Sequence, residues 1–250
     1  MTKKIFFQSS IGLLEGIISE SVDKNSATQK SPPCAIVLHP NPLHGGDMNS
    51  KIVHLLYKTF EEQKFNVLKF NFRGVGRSKG SLDDFRKNPE ATGISDAIAA
   101  LDWMHQEYPK APYYWIIGFS FGALIAMHVA MRRPEIENFL CICPDIKDFN
   151  FLNPCPCPGM IITAEFDNIV DPKDTKLYQF LDKQGNHQIE YSMIANSDHF
   201  FVNVKDPKKN NLYDLYEVVL KYVTNVLATR ITNPIRKKRR RRKKRELQDD

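Results

Sequence analysis

The sequence predicts an α/β fold in which a mainly parallel sheet is covered by helices on both faces. Short apolar runs with strand character alternate with longer segments whose apolar residues recur every three or four positions. This alternation continues through most of the chain and is typical of strand–helix–strand units. The 250 residues are enough for one such domain with a sizeable core.

Eight strands are predicted along the chain. The first two form an antiparallel hairpin through the turn at Ser10–Gly12, which would make them one edge of the sheet. The other six are short buried runs within the alternating part of the sequence. The predicted strands are Ile5–Gln8, Leu13–Ser19, Ala35–Leu38, Val67–Phe72, Tyr113–Ile117, Phe139–Cys143, Met160–Thr163 and Ile189–Ile194.

Five helices are predicted from the spacing of apolar residues and from flanking prolines. They are Lys51–Gln63, Ile94–Tyr108, Phe121–Arg133, Lys173–Lys183 and Asn211–Arg230. The connection between the strands that end at Cys143 and begin at Met160 is only about sixteen residues long and contains four prolines. We therefore expect no lid domain.

The net charge of +6 comes from the C-terminal end of the chain. Arg236 to Arg245 is an unbroken run of ten basic residues, and the rest of the chain is nearly neutral. The sequence predicts a folded domain over residues 1–231 and a disordered basic tail over residues 232–250. Such a tail either stays solvated or binds a polyanion such as RNA, DNA or anionic lipid, in a salt-dependent manner.

The sequence favours a cytoplasmic protein. No apolar run approaches the length of a membrane helix, and Ile5–Phe7 is too short for the apolar part of a secretory signal. An odd number of cysteines in a chain of this length is typical of reduced thiols rather than of a disulfide framework. The five are Cys34, Cys141, Cys143, Cys155 and Cys157.

The stretch Gly118–Gly122 places Ser120 between a predicted strand and a predicted helix. Glycines on either side of a serine allow a sharp turn that presents the hydroxyl above the edge of a sheet. The arrangement is typical of a nucleophilic serine, which needs a histidine to take its proton and an acid to orient that histidine.

His199 and Asp167 are the candidate partners of this serine. His199 lies in a polar loop after the last predicted strand. Asp167 follows the strand that ends at Thr163, and so would lie at the carboxyl edge of the sheet, where α/β proteins place their sites. Asp171 and Asp145 also follow strands and remain alternatives for the acid.

Acyl transfer also needs two backbone N–H donors for the oxygen that becomes anionic. Phe121, directly after the serine, is one candidate. The other belongs to the loop after the strand Ala35–Leu38, where prolines at positions 40 and 42 have no N–H to offer. Asn41 is the preferred donor in that loop, and Leu43 is the alternative.

Several motifs together resemble the lidless bacterial α/β-hydrolases that are distantly related to dienelactone hydrolases and serine aminopeptidases. The matching stretches are His39–Pro42 with Gly45–Gly46, Asn71–Ser78, Gly118–Gly122, Pro154–Pro156 and Asp198–Phe201. The resemblance implies an α/β-hydrolase fold with Ser120, Asp167 and His199 as its triad. Ala164 replaces a glycine and Asn41 a histidine that are common in such proteins, and neither change removes a backbone donor.

No cofactor or metal is predicted. The segment Gly74–Gly80 has neither of the glycine spacings that bind nucleotides, and we interpret it as a tight turn. The pairs Cys141-x-Cys143 and Cys155-x-Cys157 fall on a buried strand and among prolines, which does not favour zinc.

The sequence therefore predicts a serine hydrolase that cleaves a small-molecule ester, thioester or amide. Two alternatives remain. One is a peptidase that uses the same triad, and the other is a non-catalytic hydrolase-like scaffold that binds nucleic acid or a membrane surface through Arg236 to Arg245.

Overall fold

Eight strands form one mixed sheet in the order β1-β2-β4-β3-β5-β6-β7-β8. The computed structural model describes residues 1–21, 31–145, 155–170 and 189–232. The strands are β1 Thr2–Ser9, β2 Gly12–Ser19, β3 Cys34–Leu38, β4 Asn66–Phe70, β5 Tyr114–Phe119, β6 Ile136–Ile142, β7 Gly159–Ala164 and β8 Ile189–Ile194. β1 and β2 are antiparallel to their neighbours, and the other pairs are parallel.

Five α-helices are described, together with a short 3-10 helix at Pro42–His44. They are α1 Lys51–Glu62, α2 Leu82–Lys87, α3 Pro89–Glu107, α4 Phe121–Arg132 and α5 Leu212–Thr232. The helix predicted over residues 173–183 and the basic tail lie outside the described residues. In the part that is described, the eight-stranded α/β prediction is confirmed, including the hairpin at the edge of the sheet.

Two apolar layers lie on opposite faces of the sheet. Alternate residues of β3 show the division, since Ile36 and Leu38 pack on one side and Ala35 and Val37 on the other. Helices α3 and α4 cover the first layer, and α1 and α5 cover the second. Helix α4 is apolar on most of its surface and is almost wholly buried, which suits its central position.

Helices α2 and α3 differ from the sequence prediction. Helix α2 is six residues long and largely charged, so it has little periodicity to reveal it. Helix α3 begins at Pro89, five residues before the predicted start at Ile94, because the side chain of Asn88 caps it and proline suits the first turn. Gly93 interrupts the pattern inside the helix without ending it.

Strand β4 ends at Phe70, two residues earlier than predicted. The backbone N–H of Asn71 donates to Glu15 O, and that of Phe72 donates to a ring nitrogen of His39. These two hydrogen bonds hold the chain in place beyond the end of β4. The following turn is held internally, with the N–H of Gly74 donating to Lys79 O, as expected for a structural turn.

Candidate active site

Ser120 is held at a sharp turn between β5 and α4. Its φ is +55°, a conformation that a residue with a side chain adopts only at a cost in energy. A Cβ on Gly118 would lie 2.1 Å from the carbonyl oxygen of Gly122, and one on Gly122 would lie 2.5 Å from that of Leu38. The close approach of these backbones requires both glycines.

Ser120, His199 and Asp167 lie in a hydrogen-bonded row. The Nε2 atom of His199 is 3.0 Å from the Oγ atom of Ser120. The Nδ1 atom of His199 is 2.7 Å from Oδ2 of Asp167. His199 is 2% exposed and Asp167 is 7% exposed, so the histidine–carboxylate pair is shielded from water. The structure thus brings together the three residues that the sequence singled out.

The Asp167 carboxylate is held in its ionised form. Burial raises its pKa, but hydrogen bonds from His199 and from the backbone N–H groups of Val170 and Ile169 outweigh burial and lower the pKa below its ordinary value. The two N–H groups donate to Oδ1 at 2.8 and 2.9 Å, which leaves Oδ2 for the imidazole. A fixed negative charge at Nδ1 favours the tautomer in which Nε2 can accept a proton.

The alternative acids have different surroundings. Asp145 follows β6 but is exposed, and the carboxylate bonded to His199 belongs to Asp167. Asp171 lies outside the described residues.

The loop that carries His199 is fixed by side-chain hydrogen bonds. Oδ1 of Asp198 accepts from the N–H groups of Phe200 and Val202, both at 2.9 Å. Nδ2 of Asn211 donates to Oγ of Ser197 at 2.7 Å. The sequence placed Asn211 at the start of the last predicted helix and gave it no part in the site, because an asparagine at a helix start resembles any N-terminal cap.

The backbone N–H groups of the candidate oxyanion donors differ in their hydrogen bonds. The N–H of Phe121 belongs to the first turn of α4, where helical N–H groups have no partner within the helix. The N–H of Leu43 is already bonded to Oδ1 of Asn41, at 2.9 Å. Within the described residues no acceptor is found for the N–H of Asn41. Asn41 is therefore the better candidate in its loop.

His39 supports this loop from inside the protein, a role that the sequence analysis did not predict. It is fully buried, and Nδ1 donates to Pro40 O at 2.7 Å while Nε2 accepts the N–H of Phe72 at 3.1 Å. Burial lowers the pKa of His39 to about 4, so its ring is neutral and fixed in one tautomer. The ring therefore ties the loop after β3 to the turn after β4.

Apolar side chains border the two loops that carry Asp167 and His199. Phe166, Ile169 and Phe200 are each about half exposed. The ring of Phe200 lies edge-on to the His199 imidazole, with centroids 5.2 Å apart. Exposed apolar groups next to a buried polar centre are typical of a surface that binds an apolar ligand.

All five cysteine side chains are buried. In the described part of the chain, one group of potential metal ligands is close enough to hold an ion, with ligand atoms of Cys143, Asp167 and His199 within 4.8 Å of one another. In this group the carboxylate and the imidazole are hydrogen-bonded to each other.

None of the helices described is both long and apolar enough to cross a membrane.

Comparison with known proteins agrees with this fold. A family model for the alpha/beta hydrolase fold matches residues 36–156. An uncharacterised protein of Rickettsia prowazekii is 43% identical over 205 residues, which cover 79% of this chain and 82% of that protein.

Two solved structures are similar over almost their whole length. One, from Agrobacterium tumefaciens, is of a protein of unknown function assigned to the α/β-hydrolases; it is 34% identical, with a TM-score of 0.78, over 91% of this chain and 97% of the other. The second is a serine hydrolase without a lid from Xanthomonas campestris, 25% identical with a TM-score of 0.74, over 90% and 94% of the two chains. The chain thus belongs to the α/β-hydrolase family and is a hydrolase.

Proposed function

We propose that the protein is a serine hydrolase that cleaves a small ester, thioester or amide through an acyl-enzyme. The observation that carries the proposal is the row of hydrogen bonds from Ser120 through His199 to Asp167. In acyl transfer, Nε2 of His199 takes the proton of Ser120 as Oγ attacks the carbonyl carbon, and then returns it to the leaving group. Water then attacks the acyl-enzyme in the same way, which releases the carboxylic acid and regenerates Ser120.

The carbonyl oxygen becomes negatively charged as Oγ attacks. We assign its stabilisation to the backbone N–H groups of Phe121, directly after the serine, and of Asn41, in the loop after β3. The packing of Gly122 against Leu38 and His39 supports this pairing, because it sets the distance between the two donor segments.

The substrate that fits this site has an apolar acyl group. The half-exposed side chains of Phe166, Ile169 and Phe200 border the two loops of the site and offer apolar contact area. The short connection between β6 and β7 supports an open site with access for small or flexible substrates.

The direct experiment is a substrate panel. Purified protein is assayed with p-nitrophenyl esters of increasing chain length, a thioester and aminoacyl amides, beside Ser120→Ala as a matched control. We expect turnover of the esters that increases from acetyl to medium-length acyl groups and disappears in Ser120→Ala. Cleavage of the amides in preference to all esters would favour the peptidase alternative, and turnover that persists in Ser120→Ala would overturn the assignment.

We also propose that Arg236 to Arg245 bind polyanions as an accessory to the hydrolase domain, and that the protein acts in the cytoplasm. The uninterrupted run of ten basic residues supports the first statement, and the odd number of cysteines in the sequence supports the second. Cell fractionation with compartment markers tests the location, and recovery outside the cytoplasmic fraction would overturn it.

A further inference from the structure

Cys143 lies at the same edge of the sheet as Ser120, directly after the neighbouring strand β6. The N–H of Ser120 donates to Ile142 O at 2.8 Å, and the N–H of Cys143 donates to Ile162 O at 2.7 Å. These bonds continue the parallel ladders across β5, β6 and β7. Cys143 is thereby fixed between the nucleophile turn and the strand that leads to Asp167.

The backbone of Cys143 adopts a conformation that favours glycine. Its φ is +46°, and its side chain is completely buried. Glycine would adopt the same φ without strain, whereas cysteine at this position strains the backbone. Strained backbone in a folded protein is concentrated at functional sites, where surrounding contacts maintain it. The strain therefore marks Cys143 as a candidate functional residue.

The thiol is next to the Asp167–His199 pair. Its Sγ atom and the ligand atoms of both residues lie within 4.8 Å of one another. Burial and the nearby Asp167 charge raise the pKa of Cys143 well above its ordinary value, so the sulfur keeps its proton. A protonated thiol is a weak hydrogen-bond donor, and the carboxylate is an acceptor that can take more bonds than the three it has.

We propose that Cys143 is a positioning residue whose S–H donates to the Asp167 carboxylate. This inference rests on the proposed function. The bond would hold the carboxylate in line with Nδ1 of His199 and would withdraw part of its negative charge. A less negative carboxylate attracts positive charge on the imidazole less, so the thiol would extend the activity of the enzyme to lower pH.

The test is the pH dependence of kcat/KM for p-nitrophenyl acetate in Cys143→Ala, Cys143→Ser and the control Cys141→Ala. The acid limb of this profile reports the essential base of the free enzyme. Loss of a weak S–H bond should move the acid limb of Cys143→Ala up by about half a pH unit, which is about a threefold change in proton concentration.

The two other variants separate this role from packing. The serine hydroxyl can donate to Asp167 in place of the thiol, so Cys143→Ser should return the limb to the wild-type position. Cys141 is a buried thiol within β6, two residues earlier, whose sulfur donates to Ala123 O, away from the pair, so Cys141→Ala should leave the limb unmoved. If Cys143→Ala does not fold, Cys143→Gly relieves the backbone strain and should show the same half-unit shift.

An acid limb that stays in place in both Cys143→Ala and Cys143→Gly overturns the inference, as does a Cys143→Ser limb displaced as far as that of alanine. Labelling of the wild type by a fluorophosphonate keeps this failure apart from failure of the function. If the wild type labels at Ser120 but the limb does not move, only the role of Cys143 is wrong. If the folded wild type neither labels nor turns over the ester, the proposed function is wrong and the inference fails with it.

Discussion

Gly122→Ala should damage activity more than stability, because of what the added methyl group meets. A Cβ at this position would lie 2.5 Å from Leu38 O and 2.6 Å from His39 O. Both contacts are backbone atoms, so neither can rotate away as a side chain would. The start of α4 and the loop that carries Asn41 must therefore move apart.

Two opposing effects set the loss of stability. Overpacking of this kind costs about 3 kcal/mol. Replacing a glycine within a helix by alanine returns up to about 1 kcal/mol. We expect a net loss of about 2 kcal/mol in the free energy of unfolding, which leaves a domain of ordinary stability folded at 25 °C.

The expected loss of activity is larger. Separation of the two donor segments weakens one oxyanion hydrogen bond, and removal of such a donor lowers kcat by about 10² to 10³. We therefore expect kcat for a p-nitrophenyl ester to fall about 100-fold with little change in KM. Urea denaturation and steady-state kinetics on the same preparation measure both quantities.

Gly12→Ala is the matched control, since Gly12 is the first residue of β2, next to the turn of the β1–β2 hairpin, and has a φ of +111°. Alanine there is strained by about 1–3 kcal/mol but meets only the flexible side chain of Lys79. It should lose comparable stability and keep its kcat. A Gly122→Ala protein that is folded and retains kcat within threefold of wild type would refute the reasoning.

Three further predictions follow from the same structure. Asp167→Asn should lower kcat about 10⁴-fold with KM little changed, because the amide no longer favours the required imidazole tautomer; a loss below tenfold in kinetic assays would contradict this. The neutral His39 ring gives stability that is present above pH 6.5 and is lost as the pH falls toward its folded pKa of about 4. Urea denaturation should therefore show a free energy of unfolding about 2 kcal/mol lower at pH 5 than at pH 7. His39→Asn should reduce that difference, and a variant with the pH dependence of the wild type would contradict the prediction. Deletion of residues 233–250 should abolish salt-dependent retention on heparin while kcat/KM for a small ester is unchanged, and retention by the shortened chain would contradict the role of the basic run.

The parallel strands and the serine turn could be predicted because they follow from local pattern. Gly118 and Gly122 flank a serine between an apolar strand and an apolar helix, and that context is visible in the sequence. His199 and Asp167 could be named because each follows a strand, and strand ends of a parallel sheet meet at one edge.

The residues that support the site from behind could not be predicted in the same way. His39 acts through the N–H of Phe72, which is available because β4 ends two residues early, and neither fact has a local signature. Cys143 lies beside Asp167 because of ladder bonds between strands that are distant in the sequence. Such contacts depend on register and on strand ends, and these are set by the tertiary structure.

The most direct test of the central claim is whether Ser120 is a nucleophile in the folded protein. A fluorophosphonate probe is incubated with wild type, with His199→Ala and with heat-denatured protein, and the labelled peptide is identified by mass spectrometry. We predict one stoichiometric adduct on Ser120 of the folded wild type and almost none in the other two samples. A folded wild type in which Ser120 stays unmodified, or in which the label is found on another residue, would contradict the account.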